Sequence, residues 1–243
     1  MQVVEMHIYR NLIKSKDLVS FAVQIKESDL FVLSERKLVR QTEEALLKYR
    51  GDIERYIYKH PSFKFTFEPY PVKEDMPPIV KAMCEASQKA GVGPMAAVAG
   101  AIAEFVGKDL LIFSKQVIVE NGGDIFMKVT KKRKVGIYAG QSPLSGRLAI
   151  EINPEQTPLG ICCSAGTFGH SISLGKADAV VVISSSASLA DAVATRVGNV
   201  IKEERDIKKG LKLLRDIPGV KGGIIIKGVR IGAWGNLNIV KGY

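Results

Sequence analysis

The stretch from Gly160 to Asn199, GICCSAGTFGHSISLGKADAVVVISSSASLADAVATRVGN, decides how the rest of the chain is read. Leu159 to Cys163 has the apolar run of a short strand. Ser164-Ala165-Gly166-Thr167-Phe168-Gly169 then supplies small residues whose backbone N–H groups can turn toward an anion. Asp178 to Ser184, DAVVVIS, is a β-branched run of the kind that forms a strand buried on both faces. A helix is expected from Ser188, because Ser188-Leu189-Ala190-Asp191 fits the pattern in which a serine and an acid three residues on satisfy orphan N–H groups.

The candidate chemistry lies in the same segment. Asp191 and Thr195 are four apart and so share a helix face, where a carboxylate and a hydroxyl can meet one hard cation. The alternative is structural: Asp191 caps its own helix, and Thr195 bonds back to a carbonyl within it. His170 is a candidate general base with an ordinary pKa near neutrality, or else a loop histidine satisfied by its neighbours. Cys162 and Cys163 are either small buried strand residues or, if a thiolate is favoured, carriers of sulfur.

Working outward, 243 residues with 46% hydrophobic and 25% charged side chains read as an ordinary soluble globular protein with a substantial core. The net charge of +10 favours anionic partners such as phosphorylated small molecules or acidic proteins. Nucleic acid is disfavoured. The densest basic run, Lys131-Lys132-Arg133-Lys134, reads as a solvated hairpin tip and has no interleaved aromatic residues for base stacking. Three cysteines without a framework spacing, together with an N-terminus lacking an apolar signal region, lead us to expect a cytoplasmic protein. The longest low-charge run, near Gly91 to Ala103, falls short of the ~18 apolar residues of a membrane span, so no membrane partner is expected.

Taken in order, Gln2 to Arg10, Val19 to Lys26 and Leu30 to Ser34 alternate as strands, with Glu27-Ser28-Asp29 as a hairpin connection. A long amphipathic helix is expected from Glu35 to Lys59, ended by His60-Pro61. Phe63 to Phe67 alternates as a strand, and Pro71 to Pro78 is a proline-rich connection. The chain is therefore one domain, or two subdomains meeting near residues 70–78. Helical periodicity resumes at Pro78. Gly93 and Pro94 then open a second helix of small residues, whose first N–H groups are candidates for an anion. Strands follow at Gln116 to Asn121 and Ile125 to Val129 about a Gly122-Gly123-Asp124 turn. Further strands are expected at 135–139, 147–152, 220–226, 229–233 and 237–240, with helices at 188–204 and on to about Leu214. Many hairpins with helices between them argue for an α+β fold with antiparallel or mixed sheets. No dinucleotide-binding glycine loop, Walker loop or zinc pattern is present in the sequence.

Three blocks in this order, VENGGDI at Val119 to Ile125, CCSAGT at Cys162 to Thr167 and SLADAVAT at Ser188 to Thr195, resemble those of the ApbE superfamily. VGPMAAVAGAIAE at Val92 to Glu104 and SAGTFGHSISLGKADA at Ser164 to Ala179 resemble the hallmark segments of an ApbE-like family of archaea and anaerobic bacteria. ApbE proteins are FAD:protein FMN transferases that use magnesium. The resemblance therefore implies an ApbE-like fold, Mg2+ held by Asp191 and Thr195, and a flavin-type ligand, FAD or FMN. It matches Ser164 and Gly166 to residues that line the flavin pocket, sets the loop from Asn121 to Asp124 near the same site, and implies an acceptor protein as partner. On the reading of the residues themselves, the 164–169 loop, with Thr167, and the helix start at Gly93 and Pro94 would donate N–H groups to the ligand's anionic oxygens. The resemblance departs at His170, which is followed by Ile172-Ser173-Leu174 where ApbE proteins carry isoleucine-aspartate-proline. Two other readings stand beside it: a cysteine-dependent sulfur-handling protein using Cys162 and Cys163, and a non-enzymatic ligand-binding homo-oligomer.

Overall fold

The computed structural model describes residues 15, 17–165 and 175–242. Among the described residues, eleven strands build two antiparallel sheets. The large sheet runs β1 (Val19–Ile25), β2 (Ser28–Ser34), β3 (Val117–Asn121), β4 (Asp124–Lys128), β7 (Leu159–Ser164), β8 (Ala179–Ser184), β9 (Val220–Lys227) and β10 (Arg230–Gly235) in spatial order. The small sheet has β6 (Leu148–Ile152) between β5 (Arg133–Gly136) and β11 (Asn238–Lys241). The helices are α1 (Val39–Lys59), α2 (Ser62–Phe65), α3 (Pro78–Ala90), α4 (Val98–Leu110), α5 (Ala187–Val200) and α6 (Ile207–Asp216).

These elements form three layers. Val32, Val117, Val119, Phe126, Cys162, Val180, Val182 and Ile225 face the helices and share one hydrophobic cluster with them. Their strand neighbours Leu33, Ile118, Ile125, Met127, Ile161, Val181, Ile183 and Ile224 face the small sheet and share a second cluster with Val135, Ile150 and Ile152. Side chains alternate across a strand, so a sheet covered on both faces needs continuous apolar strands, and β8 is buried along its whole length. The β-branched run from Asp178 to Ser184 is thus doubly buried, although its neighbours run antiparallel. Tyr70 and Val72 pack against the helix-side cluster, which also holds Met76.

Several boundaries differ from the sequence reading. The first hairpin turns at Lys26-Glu27, with Lys26 at φ 52°, and Ser28 and Asp29 already pair within β2. Helix α1 starts at Val39, because the Glu35 carboxylate is engaged by the N–H of Lys115 and the hydroxyl of Ser114. The aromatic alternation of Phe63 to Phe67 belongs to no strand. Ser62–Phe65 is one helical turn that buries Phe63 edge-on between Tyr56 and Tyr70, and Phe65 and Phe67 face solvent. Helix α5 is capped by Ser186, whose hydroxyl accepts the N–H of Leu189, and it ends at Val200. Ser188 lies two residues too late because Ser186, in extended backbone, supplies the cap first. The expected strand at Gln2 to Arg10 lies outside the described residues.

Among the described residues no single helix is long and apolar enough to cross a membrane. Pro78–Ala90 and Pro94–Leu110 together reach that length, but they are bent by 105° and their apolar side chains belong to the helix-side cluster.

Candidate functional site

The site lies where the β3–β4 turn, the end of β7 and the first turns of α4 and α5 converge. Gly122 and Gly123 take φ 64° and 101°, which glycine adopts without strain, and so close the two-residue turn that pairs Asn121 with Asp124. Glu120, fully buried, accepts the N–H of Gly123 at 2.7 Å. The Asn121 amide donates to the carbonyl of Ala99 at 3.1 Å, which ties the turn to the start of α4. Asp124 is buried, and its Oδ1 has no hydrogen-bond partner.

Helices α4 and α5 are fastened by an exchange of carboxylates. Ala97, before α4, offers no side-chain cap. Asp191 of α5 fills that place, with Oδ2 accepting the N–H of Gly100 at 2.9 Å. In return Glu104 of α4 serves the first turn of α5. Its Oε2 accepts the Ser186 hydroxyl at 2.9 Å, the Ser188 N–H at 3.1 Å and the Ser188 hydroxyl at 3.2 Å. Its Oε1 pairs with Lys108 at 2.6 Å. The close approach depends on small residues, since a β-carbon on Gly100 would lie 2.8 Å from the Asp191 β-carbon and collide with the Ala187 carbonyl. Asp191 is thus a cap after all, but for the facing helix.

The electrostatics single out the two aspartates. Burial pushes the Asp191 carboxyl up to about 7, against the N–H groups of Gly100 and Ala99, which favour the charged form. Burial raises Asp124 well above the ordinary carboxylate range, and the nearby charges of Asp191 and Glu120 add to it. Two carboxylates raised by burial, one of them further by its neighbour's charge and with an oxygen that no donor meets, are groups that a cation would stabilise in their charged form. Thr195 follows Asp191 by one turn, and both lie on the only stripe of α5 that is not fully buried. Two carboxylates and a hydroxyl are hard oxygen donors. That set suits Mg2+, which is commonly held by one or two carboxylates and completed by water and ligand phosphates. Among the described residues no cluster of three or more His, Cys, Asp or Glu side chains offers a metal site, so the protein's share of such a shell is small.

The remaining candidates separate. Ser164 ends β7, beside the β3–β4 turn: the Cys163 carbonyl lies 3.8 Å from a β-carbon built on Gly123. Gly166, Thr167 and His170 lie outside the described residues. Gly93 and Pro94 precede a short 3-10 turn, Pro94–Ala97, and a β-carbon on Gly93 would collide with the Thr66 carbonyl, so packing accounts for that glycine. The first-turn N–H groups of α4 are taken by Asp191.

Both cysteines of the pair are reduced and disfavour the thiolate. Cys162 is fully buried with Sγ 3.3 Å from the Ala187 carbonyl, and burial and the two aspartates push its thiol up. Burial and Asp124 push Cys163 up to about 12. Sequence reading missed Glu104. Its signal was available as an acid inside the otherwise apolar run Val98 to Val106, rich in alanine, where a carboxylate has no reason to be unless something polar meets it.

A protein-family model described as AbpE bacteria matches residues 10–211. A UPF0280 protein of Methanocella arvoryzae is 41% identical over 215 residues, covering 88% of this chain and 87% of that protein. The chain belongs to the UPF0280 family. The family's fold is also that of solved ApbE proteins. The apo flavinyl transferase ApbE of Pseudomonas stutzeri superposes with a TM-score of 0.59 at 15% identity, covering 91% of this chain and 94% of its own. The flavin transferase ApbE of Vibrio cholerae gives 0.59 at 12% identity, covering 91% and 97%. At such identities the likeness carries the fold alone, so the chemistry of this UPF0280 protein has to be argued from its own residues.

Proposed function

We propose that the protein binds a flavin dinucleotide through a magnesium ion and transfers its FMN portion to an acceptor hydroxyl. One observation carries the reading: the buried Asp124, whose Oδ1 lacks a partner, is raised by the charge of the partly buried Asp191, and burial raises both carboxyls. A divalent cation supplies the missing counter-charge, and with Thr195 it completes an oxygen shell whose other positions suit a diphosphate. The ApbE-like fold and the flavin transferases that share it support flavin as the nucleotide.

In this reading Asp124, Asp191 and Thr195 hold the cation, which when bound neutralises charge on the diphosphate. Ser164 lines the flavin side, with Gly166 assigned there by resemblance and Thr167 as part of the same anion-facing loop. The acceptor oxygen forms a bond to the FMN phosphorus, the phosphoanhydride bond breaks, and AMP leaves with the electron pair. His170 takes the hydroxyl proton, as a group of near-neutral pKa can.

The test is thermal unfolding with FAD, FMN, ATP or buffer alone, each with and without Mg2+, followed by an assay for AMP release from FAD. A ligand that binds only the native state raises the midpoint. A rise with FAD and Mg2+ that EDTA reverses supports the reading. No rise with any nucleotide refutes it.

A further inference from the structure

We propose that Glu104 is a positioning residue for the Asp124–Asp191–Thr195 cation site, a role that rests on the metal-nucleotide reading above. Glu104 touches neither the cation nor the ligand in this assignment. It acts through the closed ring it makes with Asp191. Glu104 fixes Ser186 and Ser188, Asp191 begins its side chain three residues later on the same helix, and Asp191 returns to Gly100, four residues before Glu104 on the other helix.

A ring closed at both ends resists sliding as well as rotation. A slip of one residue moves a helix about 1.5 Å along its axis, enough to break the hydrogen bonds at both ends together. Rotation of α5 would carry Asp191 and Thr195 away from Asp124 and from the β3–β4 turn. Asp191 is also asked to do two things: it accepts the N–H groups of Gly100 and Ala99, and in this assignment its remaining lone pairs serve a cation. The carboxylate can serve both only while α4 and α5 keep their present offset, and Glu104 is the group that sets this offset from the α4 side.

Glu104 also leaves no room for an amide. Oε2 accepts from three donor groups and Oε1 from Lys108, so a glutamine would have to turn its NH2 toward a donor. The charge matters as well as the shape. Groups that orient a metal ligand without touching the metal commonly change metal affinity about 10–100-fold when replaced.

The experiment is a titration of the full chain with Mn2+ alone, read by water-proton relaxation, on wild type and Glu104→Gln, with unfolding midpoints measured alongside. The expected result is a rise of about tenfold or more in half-saturating Mn2+ for Glu104→Gln while it remains folded. A lowered midpoint with half-saturating Mn2+ within about twofold of wild type would mean that Glu104 only stabilises the helix pair, and would overturn the proposal. Should Glu104→Gln fail to fold, the double variant Ser186→Ala, Ser188→Ala keeps the carboxylate and the Ser188 N–H. A smaller rise in the same direction supports the proposal, and an unchanged titration overturns it. If wild type does not bind Mn2+, the cation site itself is refuted and this role falls with it, an outcome distinct from binding that ignores Glu104.

Discussion

Glu104 and Asp191 stand on facing helices, and each carboxylate accepts hydrogen bonds from the first turn of the other's helix. The first four N–H groups of any helix lack partners within it, and here two helices separated widely in sequence meet that need for each other. Each end is complete only when the pair is docked. A test of this packing should therefore also report on the candidate site.

Gly100→Ala is expected to lower stability by about 1–3 kcal/mol, because its methyl group collides with the Ala187 carbonyl and sits 2.8 Å from the Asp191 β-carbon. Denaturant unfolding at fixed pH checks this. A neutral substitution would show that α4 and α5 can separate at no cost.

Asp124→Asn replaces a buried carboxylate lacking one partner with a neutral group of the same shape. We expect the metal-free protein to keep its stability within about 1 kcal/mol, since the charge being removed is one that burial already penalises. The rise in unfolding midpoint caused by Mg2+ with FAD should disappear. Retention of that rise would remove Asp124 from the cation site.

The pH dependence has a definite sign. Asp191 titrates near its ordinary 3.8 when unfolded and at about 7 when folded, so between these values the native state holds the extra proton. Stability of the metal-free protein therefore falls as pH rises through that window, by this group's contribution. A cation favours the ionised form and should flatten the fall, and cation binding should strengthen as pH rises toward and past 7. Unfolding midpoints across pH 4–8 with and without Mg2+ test both statements, and parallel curves would contradict them.

Cys162 and Cys163 should resist alkylation in the native protein at pH 8 and react once the chain is unfolded, because burial raises both thiols above their usual range. Mass spectrometry after a short iodoacetamide pulse distinguishes the two sites. Rapid native labelling of either would revive the sulfur-handling alternative.

Much of this architecture was legible in the sequence, and the reasons are local. The run of Asp178 to Ser184, the two glycines before Asp124 and the periodicity of α1 each state their conformation through covalent preference or hydrophobic spacing. The misreadings came where two patterns overlap or where tertiary partners decide. Phe63, Phe65 and Phe67 alternate like a strand, yet Phe63 goes inward to meet Tyr56 and Tyr70 and the backbone makes a helical turn to deliver it. Ser186 and Ser188 are both competent caps, and only the extended backbone at Ser186 selects between them. The spacing of Asp191 and Thr195 was visible, but the opposing Asp124 and the return contact from Glu104 join residues far apart in the chain, and no short-range pattern encodes such a meeting.

The three-layer arrangement has a consequence for where this protein can change. The central strands β3, β4, β7 and β8 are covered on both faces, by helices on one and by the small sheet on the other, whereas the edge strands β1 and β10 leave side chains exposed. A substitution along these central strands is answered by a packing layer whichever way the side chain points, so those positions have little latitude. The rims leave more room for chemistry to vary, and the turn at Gly122 and Gly123, the end of β7 and the helix starts beside them all lie on one rim. New specificity in such a scaffold would be written in its turns and helix ends, while the strands carry the sheet unchanged beneath.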